Sequence, residues 1–398
     1  MTDLFAHPVF KEAIADIESL GVRVSSEASP HSKPYAVIEG RSNARWWLIP
    51  LEKGRLTASG LALFQPLLVS ARYMKAAAGI LSTIGLSRLW VKHKVYLSGE
   101  SLLAGYFQPA ELLSFAYFTG TDSPHRKVAV QVMDDRGNLK GFAKLTRNSE
   151  VQALLAREAS TLQYIQDLGL ESAYVPNNLF FGSVGDGTLL VTDTLKTHRT
   201  SSTSEFTSTH RAFILELSKK TAASFTVFAN DFGESFRVRY SRIRPFLEQS
   251  WSARLDEAIG FLEAQMELQL TVSFSHGDFT PWNTFITNGR LYVFDWEYAE
   301  QVCLPSNDII HFILNEPRIR RLSVTAKIDF IMSYLAQPWI GIQQKAIPTL
   351  IIIYLLLQSL RQIERQPNDK KRNQVWDGAV ENATMIDKLM LKNTSLYA

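Results

Sequence analysis

Apolar residues recur three or four apart in 8–20, at Phe10, Ile14, Ile17 and Leu20, which is the spacing of one helix face. The stretch YAVIEGRSNARWWLIPL at 35–51 is apolar on both sides of a turn signal at Gly40 to Asn43, and predicts two short strands. Residues 58–92 are apolar and predict helix, interrupted at Pro66 and Gly79. From about 105 the texture changes. ELLSFAYFTG and HRKVAVQVMD are strand-like, DDRGN at 134–138 is a hairpin turn, and LKGFAKLT at 139–146 is the returning strand. A helix follows over 149–168, with a capping box from Ser149 and Gln152 and a stop at Gly169. NLFFGS and TLLVTD, joined by VGDG, give two more strands.

A polar run rich in Ser and Thr, KTHRTSSTSE at 196–205, marks a boundary. Beyond it helices dominate, over 206–228, 251–268 and from 319 onward, interrupted at 274–300 by strand, loop and strand. The expected fold class is α+β. Residues 1–100 form an accessory region of mixed short strands and helices. Residues 101–195 form a small sheet-rich lobe, and 196–398 a larger helical lobe. Two lobes with a cleft are a common place for a small ligand.

Composition adds exclusions. The chain has 398 residues and a net charge of +3, which argues against a nucleic-acid partner. One cysteine, Cys303, rules out an internal disulfide framework and fits a reducing, cytoplasmic setting. The first residues carry Asp3, Glu12, Asp16 and Glu18 and no apolar run, unlike a secretory signal.

The helix at 149–168 places Glu158 on the apolar stripe of Val151, Leu154, Leu155, Leu162 and Ile165. A carboxylate facing a core needs a cationic partner. Lys144, in the preceding strand, is the nearest candidate, and a strand Lys held by a helix Glu suits nucleotide phosphates. The plainer reading is a surface Lys and a Glu at the stripe's border. In FSHGDFTPWNTFITNGRLYVFDWEYAE, 274–300, a strand–loop–strand hairpin would bring Asp278, Asn283 and Asp295 to one end. Oxygen ligands of this kind suit magnesium. Asn283 and Asp295 are the natural metal ligands, and Asp278 is left to orient a hydroxyl and take its proton.

These residues resemble the aminoglycoside phosphotransferase and choline kinase family, which has a two-lobed protein-kinase-like fold. The family loop H-x-D-x-x-x-x-N corresponds to His276, Asp278 and Asn283, its later metal-binding Asp to Asp295 in VFDWEYA, and a bracing Asp to Asp308 in PSNDIIHF. The resemblance spans about 110–320 and does not reach the first 100 residues. It implies ATP and Mg2+ as cofactors and a small-molecule hydroxyl acceptor. It implies catalysis by Asp278, with His276 organising the loop, and nucleotide binding by Lys144, Glu158, Gly120 and the edge Thr192, Asp193 and Thr194. The turn FTGTDSPH carries the single Gly120 where a phosphate-covering loop would be glycine-rich. DWE stands in place of Asp-Phe-Gly and no Ala-Pro-Glu segment occurs, against a protein kinase.

Trp282, Trp296, Glu297 and Tyr298 are candidate acceptor-pocket residues. Aromatic faces can hold a quaternary ammonium, stack on sugars, or simply fill a core. Residues 58–94 mix apolar positions with Arg72, Lys75, Arg88, Lys92 and Lys94. This suits peripheral contact with an anionic membrane, or, more simply, a docked helical pair with its basic residues solvated. Two other functions stay in view: a non-catalytic kinase-like nucleotide-binding module, and a metallophosphoesterase.

Overall fold

The computed structural model describes residues 4–40, 44–52, 55–64, 69–107, 112–123, 125–197, 200, 202–338, 342–366 and 378–394. The chain forms two compact units, Met1–Gly169 with Val175–Ser201, and Leu170–Tyr174 with Ser202–Ala398. The α+β class expected from the sequence is present, with the sheet in the first unit and most helices in the second.

The first unit runs α1 (Pro8–Glu18), β1 (Arg23–Ser25), β2 (Lys33–Glu39), β3 (Trp46–Pro50), α2 (Arg55–Gly60), α3 (Val69–Thr83), β4 (His93–Ser98), β5 (Ser114–Phe118), β6 (Val128–Met133), β7 (Leu139–Thr146) and α4 (Ser149–Asp167). After β8 (Ala173–Tyr174), which belongs to the second unit, come β9 (Asn178–Val184) and β10 (Gly187–Asp193). The strands make one antiparallel sheet in the order β1-β4-β2-β3-β5-β6-β7-β10-β9. β3 pairs with β5 through Trp47↔Phe118 and Leu48↔Tyr117. The sheet therefore passes through residue 100 without a break, and the first hundred residues are built into the same sheet as the next ninety. One sheet face buries Tyr35, Trp46, Leu48, Tyr117 and Val130 in the cluster that holds Phe10, Ile14 and Ile17 of α1. On the other face Trp47 and Ile49 join Leu56 and Ala78 of α2 and α3, while Leu190 meets Leu155 and Ala159 of α4.

Two local expectations shift. α3 continues through Gly79 rather than breaking there; a mid-helix glycine costs only about 1 kcal/mol. Residues 41–43 and Pro66 lie outside the described residues. α4 is capped by Asn148, whose side chain accepts from the Glu150 amide, one residue before the predicted Ser149. Asn and Ser compete equally for that role. The hairpin turn at 134–138 forms as predicted, with Asp134 Oδ1 accepting from the Asn138 and Arg136 amides at 2.7 and 3.0 Å.

The second unit contains α5 (Ser208–Thr221), β11 (Val227–Phe228), α6 (Ala229–Ile243), α7 (Gln249–Glu263), β12 (Gln269–Leu270), β13 (Ser273–Ser275), β14 (Thr284–Thr287), β15 (Arg290–Val293), β16 (Glu300–Cys303), α8 (Pro305–Asn315), α9 (Val324–Leu335), α10 (Ile347–Arg365) and a last helix, Ala379–Thr394. The predicted helix over 206–228 ends early, because Val227 and Phe228 pair with Leu270 and Gln269. Among the described residues, Gln344–Arg365 is long and apolar enough to cross a membrane, and 83% of that window is buried. It is the central helix of this unit's core.

Candidate active site

In the first unit, alternation along β7 turns Phe142 and Lys144 to the partly open sheet face and buries Ala143 and Leu145. α4 packs on that face and brings Glu158 to it. The Lys144 ammonium donates to both Glu158 carboxylate oxygens, at 2.7 and 2.6 Å. The pair inferred from the apolar stripe is thus formed, and Glu158 is buried. Lys196 lies 5.9 Å over the Phe142 ring. Burial first, and the charge of Lys75 second, hold its ammonium down at about 8. Lys144 and Lys196 thus both meet this sheet face.

Within the expected nucleotide edge, Asp193 is engaged by Asn177. Asp193 accepts from the Asn177 amide and side chain at 2.7 and 2.5 Å. Its own amide donates to Asn177 O at 3.1 Å. Asp193 thus closes the end of the β9–β10 hairpin, with its carboxylate and amide both bonded to Asn177. Gly120, after β5, has φ +80°, and a Cβ there would lie 2.5 Å from Lys127 O. Only glycine fits.

In the second unit the loop after β13 is held from several sides. The His276 amide donates to Asp308 Oδ2 at 2.7 Å and the Gly277 amide to Oδ1 at 3.0 Å. Asp308 sits in the first turn of α8, where an acid also suits the helix dipole. His276 is fully buried. Its Nδ1 accepts from the Asp278 amide at 3.2 Å, which leaves the proton on Nε2 to donate to Phe294 O at 3.0 Å. Both ring nitrogens of His276 are thus engaged within the protein. Gly277 has φ +77°, and a Cβ there would stand 2.0 Å from Tyr298 O.

Asp278 emerges from this frame with 30% of its side chain exposed. Asn283, on the turn Pro281–Asn283, donates its amide to Asp278 O at 3.0 Å and to Oδ2 at 2.9 Å. That orientation turns the side-chain oxygen of Asn283 away from Asp278. β14 and β15 form the predicted hairpin, with Asn288 and Gly289 at φ +51° and +74°. The Phe294 amide donates to Asn283 O at 3.2 Å, carrying Asp295 to the same end. Asp295 lies two residues past β15 at φ +70°, an uncommon conformation for a residue other than glycine. The donor set of Asn283 and Asp295 is all oxygen and fits a hard divalent ion.

The sequence reading missed three supporting residues. His311, on α8, lies 3.0 Å from Asp278 Oδ1 through Nε2, and its Nδ1 lies 2.9 Å from the Tyr354 hydroxyl. Arg361 donates to Gly277 O at 3.1 Å and pairs with Glu300. Tyr354 and Arg361 are seven residues apart on α10, so one helix face serves the loop twice. The available signal was His311 one turn after Asp308 on an otherwise apolar helix.

The aromatic candidates separate. Trp296 is fully buried, with its indole NH donating to Val293 O at 3.1 Å and its ring 4.5 Å from that of His276. It fills the core beneath the loop and does not line an acceptor pocket. Glu297 is buried as well. Tyr298 carries Arg365 4.0 Å over its ring, and burial raises its phenol well above the usual range. Trp282 is 39% exposed and stays available to a ligand.

The His-Gly-Asp loop is thus braced by a helix Asp and followed by Asn and Asp at one hairpin end. Residues 227–309 match the model of the phosphotransferase enzyme family. No curated protein matches the chain. Among solved structures, choline kinase LicA from Streptococcus pneumoniae is 14% identical, over 66% of this chain and 89% of that one, with a TM-score of 0.45. Aminoglycoside 2'-phosphotransferase-IIIa in its GDP complex is 14% identical over 67% and 90%, with a TM-score of 0.44. A thermostable mutant of aminoglycoside phosphotransferase APH(4)-Ia with AMP-PNP and hygromycin B is 13% identical over 70% and 93%, with a TM-score of 0.46.

Proposed function

We propose that the protein is an ATP- and magnesium-dependent phosphotransferase that moves the γ-phosphoryl group to a hydroxyl of a small molecule. The observation that carries this reading is the Asp278 carboxylate, fixed on one oxygen by Asn283 and partly open to solvent within the family segment. Asp278 orients the acceptor hydroxyl and takes its proton. Asn283 and Asp295 would hold magnesium, which neutralises charge on the phosphates when bound. Lys144, steadied by Glu158, meets the nucleotide phosphates as a point charge. Trp282 is the exposed aromatic for an aminoglycoside, a choline-like amino alcohol or a saccharide. The single thiol, Cys303, is buried and raised to about 12 by that burial, an inert group suited to a reducing cytoplasm.

A coupled ADP-release screen against aminoglycosides, choline, ethanolamine, thiamine and sugars tests the reading. Asp278→Asn should lower turnover by at least ~100-fold, the usual size of a lost general base, while magnesium nucleotide still raises the melting temperature. Equal turnover in the variant would remove Asp278 from its role. No turnover, with nucleotide stabilisation intact, would favour a non-catalytic binding module.

A further inference from the structure

Helix α3 buries Ala78 and Ser82 on one side and exposes large apolar residues on the other. Ala78 and Ser82, four apart, are each 3% exposed. Ser82 Oγ donates to Ala78 O at 2.6 Å and accepts the Trp90 indole NH at 3.0 Å, which seats that face. On the opposite side Tyr73, Ala77, Ile80 and Ile84 follow at steps of four, three and four, one line along the helix. Tyr73 is 74% exposed, Ile80 65% and Ile84 62%, and Leu89 just beyond is 65% exposed. No charged residue lies on that line. The helix is docked through Ala78, as the simpler sequence expectation has it, and its outward line is apolar.

The charge around the line is one-sided. Residues 53–99 contain seven Lys or Arg and no Asp or Glu, in a chain with 42 basic and 39 acidic residues. Lys92 and Lys94 are exposed directly after Leu89, and Arg55 is exposed at the start of α2, which packs against α3.

We propose that this face docks on an anionic bilayer, with Tyr73, Ile80, Ile84 and Leu89 at the headgroup–acyl boundary and the lysines on acidic headgroups. A second copy of the chain fits less well. In a two-fold interface the patch meets itself, and residues 53–99 offer no acid to pair with the partner's cations. The inference does not depend on the phosphotransferase reading and is read without activity.

The test is co-sedimentation of the full chain with vesicles of phosphatidylcholine alone, or mixed with phosphatidylglycerol. The protein should pellet with the mixed vesicles and not with the neutral ones. Raising salt to 1 M, where the screening length is about 3 Å, should release it. Ile80→Asp/Ile84→Asp and Lys92→Glu/Lys94→Glu should each lower binding about tenfold or more, given the worth of each basic residue near such a surface. Val238→Asp, at a residue 58% exposed on α6, should bind as the parent does. Melting curves check folding, and if the isoleucine variant unfolds, the lysine variant and the salt series decide. The proposal fails if mixed vesicles are not bound at low salt, or if both double variants bind like the parent. It also fails if light scattering shows a dimer that Ile80→Asp/Ile84→Asp converts to monomer.

Discussion

His311→Phe isolates one hydrogen bond to the proposed base. Asp278, when ionised, can only accept. The 3.0 Å contact to Oδ1 therefore places a proton on His311 Nε2, and Nδ1 accepts from the Tyr354 hydroxyl at 2.9 Å. Burial raises the Tyr354 phenol far above its usual range, so it remains a donor throughout the working pH range. Tyr354 thereby selects the tautomer that serves Asp278. His311 is a positioning residue: with Asn283 on Oδ2, it fixes the plane of the carboxylate.

A hydrogen bond to a charged group contributes about 1.5–3 kcal/mol. Asp278 is 30% exposed, so water recovers part of a lost bond, and about 1–2 kcal/mol remains. That converts to a fall in kcat of roughly 5- to 30-fold, with KM for nucleotide unchanged. His311→Gln, which keeps an N–H near the Nε2 position, should stay within about 3-fold of the parent by the same arithmetic. Tyr354→Phe should fall between. The assay is steady-state phosphoryl transfer or, before an acceptor is found, slow hydrolysis of magnesium ATP. Nitrogen-labelled histidine read by NMR reports the tautomer without any turnover. Unchanged kcat in a folded His311→Phe variant, or a proton found on Nδ1, would refute the reasoning.

Two more outcomes concern stability. Gly277→Ala forces a Cβ to 2.0 Å from Tyr298 O at φ +77°; it should cost at least about 3 kcal/mol and abolish activity, and an unaltered melting curve would refute the turn's need for glycine. His210 is fully buried, and desolvation holds its imidazole at about 4 against 6.5. The unfolded chain takes up this proton first, so stability is full above about pH 6.5 and falls as pH drops towards 4, by up to ~3 kcal/mol. Urea unfolding at pH 7 and pH 4.5 should show a slope that His210→Gln flattens, and equal slopes would count against it.

What the sequence reveals depends on whether a residue's neighbours are set locally. Glu158 is legible because a carboxylate on an apolar stripe demands a cation, and the hairpin before the helix carries one. The loop at 276–283 is legible because its residues are consecutive and chemically unusual for an apolar stretch. Trp296 is not, since an aromatic beside an acid reads alike whether it lines a pocket or, as here, fills the core beneath His276. Nor is the continuity of the sheet, because the β3–β5 pairing joins Leu48 to Tyr117 far along the chain, and strand order leaves no trace in local periodicity. His311 lies between these cases. Its place on α8 follows from helical spacing, but its role requires α10 to bring Tyr354 to its other nitrogen, a partner 43 residues away in sequence. The chain thus writes the candidate reacting groups of the loop into one segment and disperses the groups that hold them. A search for positioning residues is therefore best directed at the helices packed behind the loop, and α10, which supplies both Tyr354 and Arg361, is where substitutions should alter catalysis without touching a ligand.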